Sequence, residues 1–496
     1  MTPVFDAVLD REALKEYGVS RETLAEVLAR VVAAAPEAVP RVNIADGAML
    51  VPNAKLPQGS VSRASGLLLR LGILEEEAAA PERAERPGRP IVPLRLGRAW
   101  ALAGVKIRHR EGYPVQALGV LTGLDGSMLT DPVAETLTDS RDHVGLVKSI
   151  AYVVQQLHQT TPRRLLGLGV ELGGHVHRGR VLFSPNNTWD DFPLGELLSE
   201  KLNRLPTIVE NDVNARAIRE VWKRDRQAKS LRFPQMHLAV VAVYNDGVGG
   251  ALVINRKVYR GSRGCAGEVG HMTVDYSRPY DDPKQQRRSK KRPGFNDPCR
   301  CEHFFYADAL ADGGAFGHVD ALATPSRIEG ELGIPFARAA RQRATLPNGQ
   351  LTRAGAAFRT AGEALGRALA AVFNLTDPAS FLLLLPNTLA HAAEGTAAAE
   401  YRKSVDKTLG RLAFSCAADD ARNGGRTVLV EGMDPDDAVS GARAAAACVL
   451  DSFIAYARGE DTESLAEVTE PARLPHLTSL GRPISPSPLR RHQLKM

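Results

Sequence analysis

The chain has 496 residues, enough for roughly two to four domains at ~100–200 residues each. Apolar residues make up 44% and charged residues 24%, which excludes wholesale disorder, and five scattered cysteines exclude a disulfide scaffold. Lys plus Arg exceed Asp plus Glu by 63 − 57 = 6, a balance that matters only where the charge is clustered.

No run reaches the ~18–20 uninterrupted apolar residues that would span a bilayer. The acidic start MTPVFDAVLDREALKEYG lacks the basic-then-apolar layout of an export signal. A cytoplasmic chain with no membrane partner is expected. Residues 1–45 read as two helical stretches broken by Gly18, Pro36 and Pro40, with Ser20 as a helix cap, and form a helical N-terminal extension. Residues 46–58 are interrupted by Pro52 and Pro57 and carry no clear element. Ser60 is placed to cap a helix whose buried face is Val61, Ala64, Leu67, Leu68 and Leu71. Gly72 ends it, Ile73 and Leu74 start a strand, 75–90 is a charged Pro-rich loop, and 91–96 is a second strand. Helix, strand, basic loop, strand is the layout of a helix-turn-helix with a wing, so 46–98 is read as a DNA-binding domain.

From residue 99 the texture changes to strands alternating with helices. The strand-like runs are ALAGVKI, VQALGVL, LLGLGVEL, RVLFS, TIVEND, LAVVAVY, GGALVI, FLLLL and TVLVEG; long Ala/Leu-rich helices cover 142–158, 353–373 and 436–457. The stretch 459–496 carries five prolines among polar residues and reads as a flexible tail.

Three clusters in this second region bear chemistry: GVELGGH (169–175), VENDVNA (209–215), and DGVGG (246–250) followed by GSRGCAGEVGH (261–271). Singly, each has a plain structural reading as a tight turn, a helix cap or a polar loop. Their order is more specific. GVELGGHV, SPNNTW, ENDVNA, DGVGGAL, CAGEVGH and CRC follow one another as in the ROK family of repressors, open reading frames and kinases, which this chain resembles over about 99–458. The resemblance implies an α/β, two-lobed sugar kinase/actin/Hsp70-like (ribonuclease H-like) body. It places Gly174, His175, Asn211, Asp212, Glu268, His271 and Asp308 at sugar-contacting positions, Asp212 being the general base in the family's kinases.

The departures bear on mechanism. Where family kinases carry D-x-G-G-T, this chain reads Ala103–Gly104–Val105–Lys106–Ile107–Arg108, and FLLLL is followed by Pro386–Asn387–Thr388 in place of a Gly-rich turn. Phosphoryl transfer depends almost wholly on positioning the nucleotide, so no ATP and no enzymatic activity are expected. The family's zinc pattern is half present, as His271, Cys299 and Cys301 without a third cysteine; zinc and two ordinary reduced cysteines both remain open. A basic insertion at 276–297 includes KQQRRSKKR, read as a solvated loop or a DNA or partner contact. Regulators of the family carry V-S-R on a recognition helix and G-R-P at the wing, matched by Val61–Ser62–Arg63 and Gly88–Arg89–Pro90. Ser60, Ser62, Arg63, Ser65 and Arg89 are therefore the expected DNA-contacting residues, with Ser60, Ser62, Arg63 and Ser65 on the helix's exposed side. The whole reads as a sugar-responsive regulator, a repressor of carbohydrate metabolism, that binds a double-stranded DNA operator as a homodimer or homotetramer and takes a sugar or sugar phosphate as effector. The alternative is an active ATP-dependent sugar kinase with an added DNA-binding domain.

Overall fold

A computed structural model describes residues 5–6, 9–46, 55–77, 92–108, 114–137, 142–184, 189–227, 237–275, 317–414, 427–433 and 438–460. Arg89, Cys299, Cys301, Asp308, the KQQRRSKKR insertion and nearly all of the C-terminal stretch lie outside the described residues.

The N-terminal unit, here called the head, begins with α1 (Arg11–Tyr17), capped by the Asp10 carboxylate and closed by Gly18 in a left-handed conformation. Ser20 caps α2 (Arg21–Ala34), accepting from the Thr23 N–H. A short α3 (Arg41–Asp46), not anticipated from sequence, precedes α4 (Gln58–Arg70). Helix α4 starts ahead of Ser60, with Pro57 at its N-cap and no side-chain cap, so Ser60 is an internal residue and not the cap. Its buried face holds Val61, Ala64, Leu67 and Leu68, as the periodicity requires. That face also takes in Ser65, which is fully buried; placing Ser65 on the exposed side was wrong, because it follows Ala64 directly into the packed surface. Strands β1 (Leu74–Glu76) and β2 (Leu94–Leu96) pair antiparallel, and the Val39 N–H donates to the Leu94 carbonyl at 2.7 Å. The segment read as a separate extension therefore shares one apolar core with α4 and the ribbon.

All nine strand-like runs form strands. One five-stranded sheet holds β3 (Trp100–Arg108), β4 (Val115–Thr122), β5 (Val133–Leu137), β6 (Arg164–Leu172) and β10 (Thr207–Asn211), in the order β10-β6-β3-β4-β5. Between β6 and β10 lie a three-stranded sheet, β7 (His175–His177), β8 (Arg180–Ser184) and β9 (Trp189–Phe192), and then α6 (Leu194–Lys201); α5 (His143–Gln159) joins β5 to β6. After α7 (Asp212–Gln227) comes the second five-stranded sheet. It holds β11 (Leu238–Val243), β12 (Val248–Ile254), β13 (Lys257–Tyr259), β14 (Ser380–Pro386) and β15 (Thr427–Met433), ordered β13-β12-β11-β14-β15. Each sheet is a three-stranded antiparallel meander extended by two parallel strands, so the two lobes repeat one topology. This is the two-lobed sugar kinase/actin-like fold. The second sheet is covered by short helices α8 (Val319–Ala323), α9 (Pro325–Leu332) and α10 (Phe336–Ala340), and by α11 (Arg353–Thr376), α12 (Asn387–Ala390) and α13 (Ala397–Leu412).

The last helix, α14 (Ala438–Ala457), lies across β3 and β6 of the first sheet. It is long and apolar enough to cross a membrane by length and composition alone, but two thirds of it is buried against protein, and Arg443 and Asp451 interrupt it. The approach is close because two strand positions carry no side chain. A Cβ on Gly104 would sit 1.9 Å from the Ala442 carbonyl oxygen, and one on Gly169 would sit 1.8 Å from that of Ala445. Backbone, unlike a side-chain tip, cannot move aside cheaply. Gly169→Ala should therefore lower stability by about 1–3 kcal/mol or more, read as a reduced urea midpoint. An unchanged midpoint would mean that the helix does not pack this tightly.

Candidate functional site

The cleft is built at the carboxyl ends of β6 and β10 and the amino end of α7. Asn211 does two jobs there. Its Oδ1 caps α7, accepting from the Val213 and Asn214 N–H groups, and its Nδ2 donates to the Gly174 carbonyl at 2.9 Å. Behind it, Glu210 is 2% exposed and anchors the motif. Its Oε1 accepts from Asn214 Nδ2 and the Asn211 N–H, and its Oε2 accepts Arg260 Nε at 3.0 Å and Nη2 at 2.6 Å. This buried ion pair ties α7 to the loop 260–268, since the Arg260 carbonyl accepts from the Ala266 N–H. The loop closes over the cleft through Gly267, whose φ of +92° and approach to the Gly250 carbonyl leave no room for a Cβ.

The resulting cavity is lined by Gly174, Asn211, Asn214, Gly249, Gly250, Gly264, Ala266 and Glu268. At about 30 Å³ it has space for two or three water molecules, not for a sugar ring. Three residues expected from sequence line it: Gly174, Asn211 and Glu268. Asn214 was passed over because its motif position reads as a helix side chain; it is 5% exposed, and its Oδ1 has no partner among the described residues. A buried amide oxygen in that condition calls for a donor from a ligand.

His175 stands beside the cavity. Its Nε2 donates to the Arg263 carbonyl and lies 3.3 Å from Cys265 Sγ, and burial holds its pKa below the ordinary histidine value. His271 sits behind Glu268, with Nε2 3.7 Å from Glu268 Oε2 and Nδ1 3.8 Å from Asp320 Oδ2. Asp320, unseen in the sequence, is the residue this corner turns on: its Oδ1 also accepts the Val248 N–H at 2.7 Å. Burial raises the pKa of Glu268 and of Asp320; for Glu268 the Asp320 and Asp212 charges add to the rise, and His271 opposes it in both. Among the described residues no group of three His, Cys, Asp or Glu side chains could hold a metal. Both His271 nitrogens face carboxylates, and Cys299 and Cys301 of the expected zinc pattern lie outside the described residues.

Asp212 is nearly buried beneath the cleft and faces a lysine. Lys106, on β3, places Nζ 2.8 Å from Glu171 Oε1 and 3.6 Å from Asp212 Oδ2. Burial pulls the Lys106 pKa down, but the Glu171 and Asp212 charges outweigh it and hold the group above the ordinary lysine value. The side chain is thus a charged ammonium between two acids. On the head, Ser62 and Arg63 are exposed and Ser60 is half-buried. Arg63 Nε donates to the Gly18 carbonyl at 3.2 Å and Nη2 to Ser60 Oγ at 3.3 Å, so α1 lies against this face of α4.

Residues 116–392, more than half of the chain, match the ROK family, and the chain belongs to it. Over 165 residues it is 31% identical to the xylose repressor of Bacillus subtilis, a stretch covering 32% of this chain and 40% of that one. Over 120 residues it is 35% identical to the glucokinase of Halalkalibacterium halodurans, covering 24% of this chain and 34% of that one. The chain thus spans about 40% of the length of the repressor it matches. Among solved structures, a ROK family transcriptional regulator described as a homologue of the E. coli Mlc protein is similar with a TM-score of 0.61 at 16% identity, covering 88% of this chain and 98% of that one. At that identity the likeness is one of fold.

Because burial raises the Asp320 pKa above its unfolded value, the folded chain loses stability as pH rises through that window. Asp320→Asn keeps the acceptor for Val248 and removes the charge. It should raise the unfolding midpoint at pH 7–8, with the gain shrinking toward the ordinary carboxylate range of ~4. A lower midpoint at pH 7–8 would show that the pairing with His271 outweighs burial.

Proposed function

We propose that the chain is a sugar-responsive, DNA-binding transcriptional regulator, a repressor, whose body senses the sugar and does not phosphorylate it. The observation that carries this reading is the helix α7. Its cap Asn211 and first-turn Asn214 line the cleft, Asp212 lies beneath them, and farther along Val221 and Trp222 share a buried core with α2 of the head. Over 16 residues the helix runs ~24 Å, a rigid connection between ligand and head.

A sugar suits this cleft because adjacent amides and carboxylates hydrogen-bond neighbouring hydroxyls together, and a missing hydroxyl leaves them unpaired. The cleft has to open to admit a ring, so the liganded chain differs in arrangement from this closed one. Such a difference between states is what coupling requires. Xylose is the first sugar to test, from the likeness to xylose repressors.

Three features argue against phosphoryl transfer. Lys106 puts a fixed positive charge beside Asp212, where a nucleotide-bound metal ion would be repelled. The Val248 N–H in the one remaining glycine-rich turn is already taken by the Asp320 carboxylate, which also repels phosphate. At the end of β14, Asn387 and His391 fill the space against Gly432, where a Cβ would come within 2.6 Å of both.

In the head, the α3–α4 pair followed by the β1–β2 ribbon is taken as a winged helix-turn-helix, with residues 21–46 as part of it. Ser62 and Arg63 on α4 contact the operator, and Ser60 sits at the margin. A homodimer places two such heads on two half-sites.

Four outcomes test the reading. Arg63→Ala should weaken operator binding by ~1–3 kcal/mol while sugar binding is kept, measured at fixed salt; full operator affinity would remove α4 from the interface. Glu268→Gln should weaken sugar binding tenfold or more, the loss of a charge-assisted bond worth ~1.5–3 kcal/mol. In the unmodified chain, sugar affinity should fall as pH drops through a range above the ordinary glutamate value, because Glu268 takes up its proton there. ATP turnover on xylose or glucose that Asp212→Asn abolishes would overturn the sensor-only reading.

A further inference from the structure

A second cavity lies where the head meets the body, away from the sugar cleft. At about 240 Å³ it is far larger than the cleft's roughly 30 Å³. Its walls come from Val32 of α2, Leu102 of β3, Leu124 just beyond β4, Arg219 and Trp222 of α7, and Arg443 of α14. The apolar members Val32, Leu102, Leu124 and Trp222 are each at most 9% exposed, so one side of the cavity is a preformed apolar shelf.

The other side is basic. Arg443 Nη2 donates to the Gly126 carbonyl at 3.0 Å, while its Nε is buried without a hydrogen-bond partner among the described residues. Arg219 Nη1 donates to Ser440 Oγ at 3.0 Å. The acids here are engaged: Asp125, itself a lining residue, and the two partners of Lys223, which also lines the cavity. Asp125 accepts from the Ser127 N–H and hydroxyl in its own turn, and Glu220 and Glu431 each hold Lys223 Nζ at 3.4 Å. Arg219, Lys223 and Arg443 line the cavity against the one lining carboxylate, Asp125, and this cationic excess beside apolar walls suits a planar or tetrahedral oxyanion.

We infer that this junction cavity binds a small oxyanion, a carboxylate or phosphate ester, carried on a compact apolar body. Size supports one ring. An apolar cavity of ~150 Å³ holds benzene, so the volume here leaves room for a ring and its anionic group together. The occupant touches α2 of the head and the two long helices of the body at once. It acts as a second effector, separate from the sugar, that fixes the head against the body.

The test is calorimetric titration of the full chain with phenyl phosphate and with benzoate, using benzyl alcohol as the neutral control. At least one anion should bind where benzyl alcohol does not, and the tighter anion identifies the preferred headgroup. Arg443→Gln should weaken that binding tenfold or more, and Ala447→Phe, at another wall residue of α14, should abolish it by filling the cavity. Glu268→Gln, which disturbs the sugar cleft, should leave it unchanged; a loss there would place the anion in the cleft and overturn the inference while sparing the sugar-sensing reading. Failure of both anions to bind, or an Arg443→Gln affinity equal to the unmodified chain's, would overturn it too. If Ala447→Phe unfolds, Arg443→Gln decides alone.

Discussion

The approach of α14 to the first sheet is the constraint from which most of the molecule follows. With glycine at 104 and 169, the helix backbone rests on the strands themselves, and its 20 residues run ~30 Å across the body as one stiff strut. One end meets the cleft chemistry, where Gly441 lies against the Glu171 carboxylate. The other end meets the head: the ring of Phe453 packs edge-on to Phe5 at 5.1 Å, the Tyr456 hydroxyl bonds Asp6, and Arg458 pairs with Glu26 at 3.1 Å. Helix α7 makes the same connection by a parallel route. Head and first lobe therefore share one apolar core.

The buried group Glu171–Lys106–Asp212 is the second consequence. Two carboxylates so deeply enclosed need a counter-charge, and Lys106 supplies it. Removing one partner of such a group costs ~3–5 kcal/mol, because the remaining charges are left buried and unpaired. The lysine is thus held by the fold between the Glu171 and Asp212 carboxylates.

Much of this was legible in the sequence, and the failures have physical reasons. The strand runs were found because buried strands in this fold are continuous apolar stretches bounded by turn residues, and the long helices because Ala and Leu recur at helical spacing. The cleft motifs were legible through their order, which brought Gly174, Asn211 and Glu268 to one cavity. Asp320 could not be found that way: it reaches Val248 across 72 residues, and a lone acid in GHVDALA carries no local signal. Asn214 was hidden by its own helix, and Lys106 was noticed as a missing acid but not as a present cation. Ser65 failed for a simpler reason. The periodic face is wider than its apolar members, and a small hydroxyl inside it is buried with them. The helix α3 was missed because six residues between prolines show less than two turns of pattern.

If the proposed sugar and operator bind this chain, the two helices that join cleft and head require their affinities to be coupled. Typical coupling between such sites is 1–3 kcal/mol, a change of ~5–150-fold in affinity. The direct measurement is the dissociation constant of the full chain for its operator at fixed salt, with and without saturating xylose or another sugar shown by calorimetry to bind. A shift of fivefold or more, matched by an equal shift in sugar affinity when the operator is saturating, is the predicted result. Sugar bound at full occupancy with operator affinity unchanged would contradict the account.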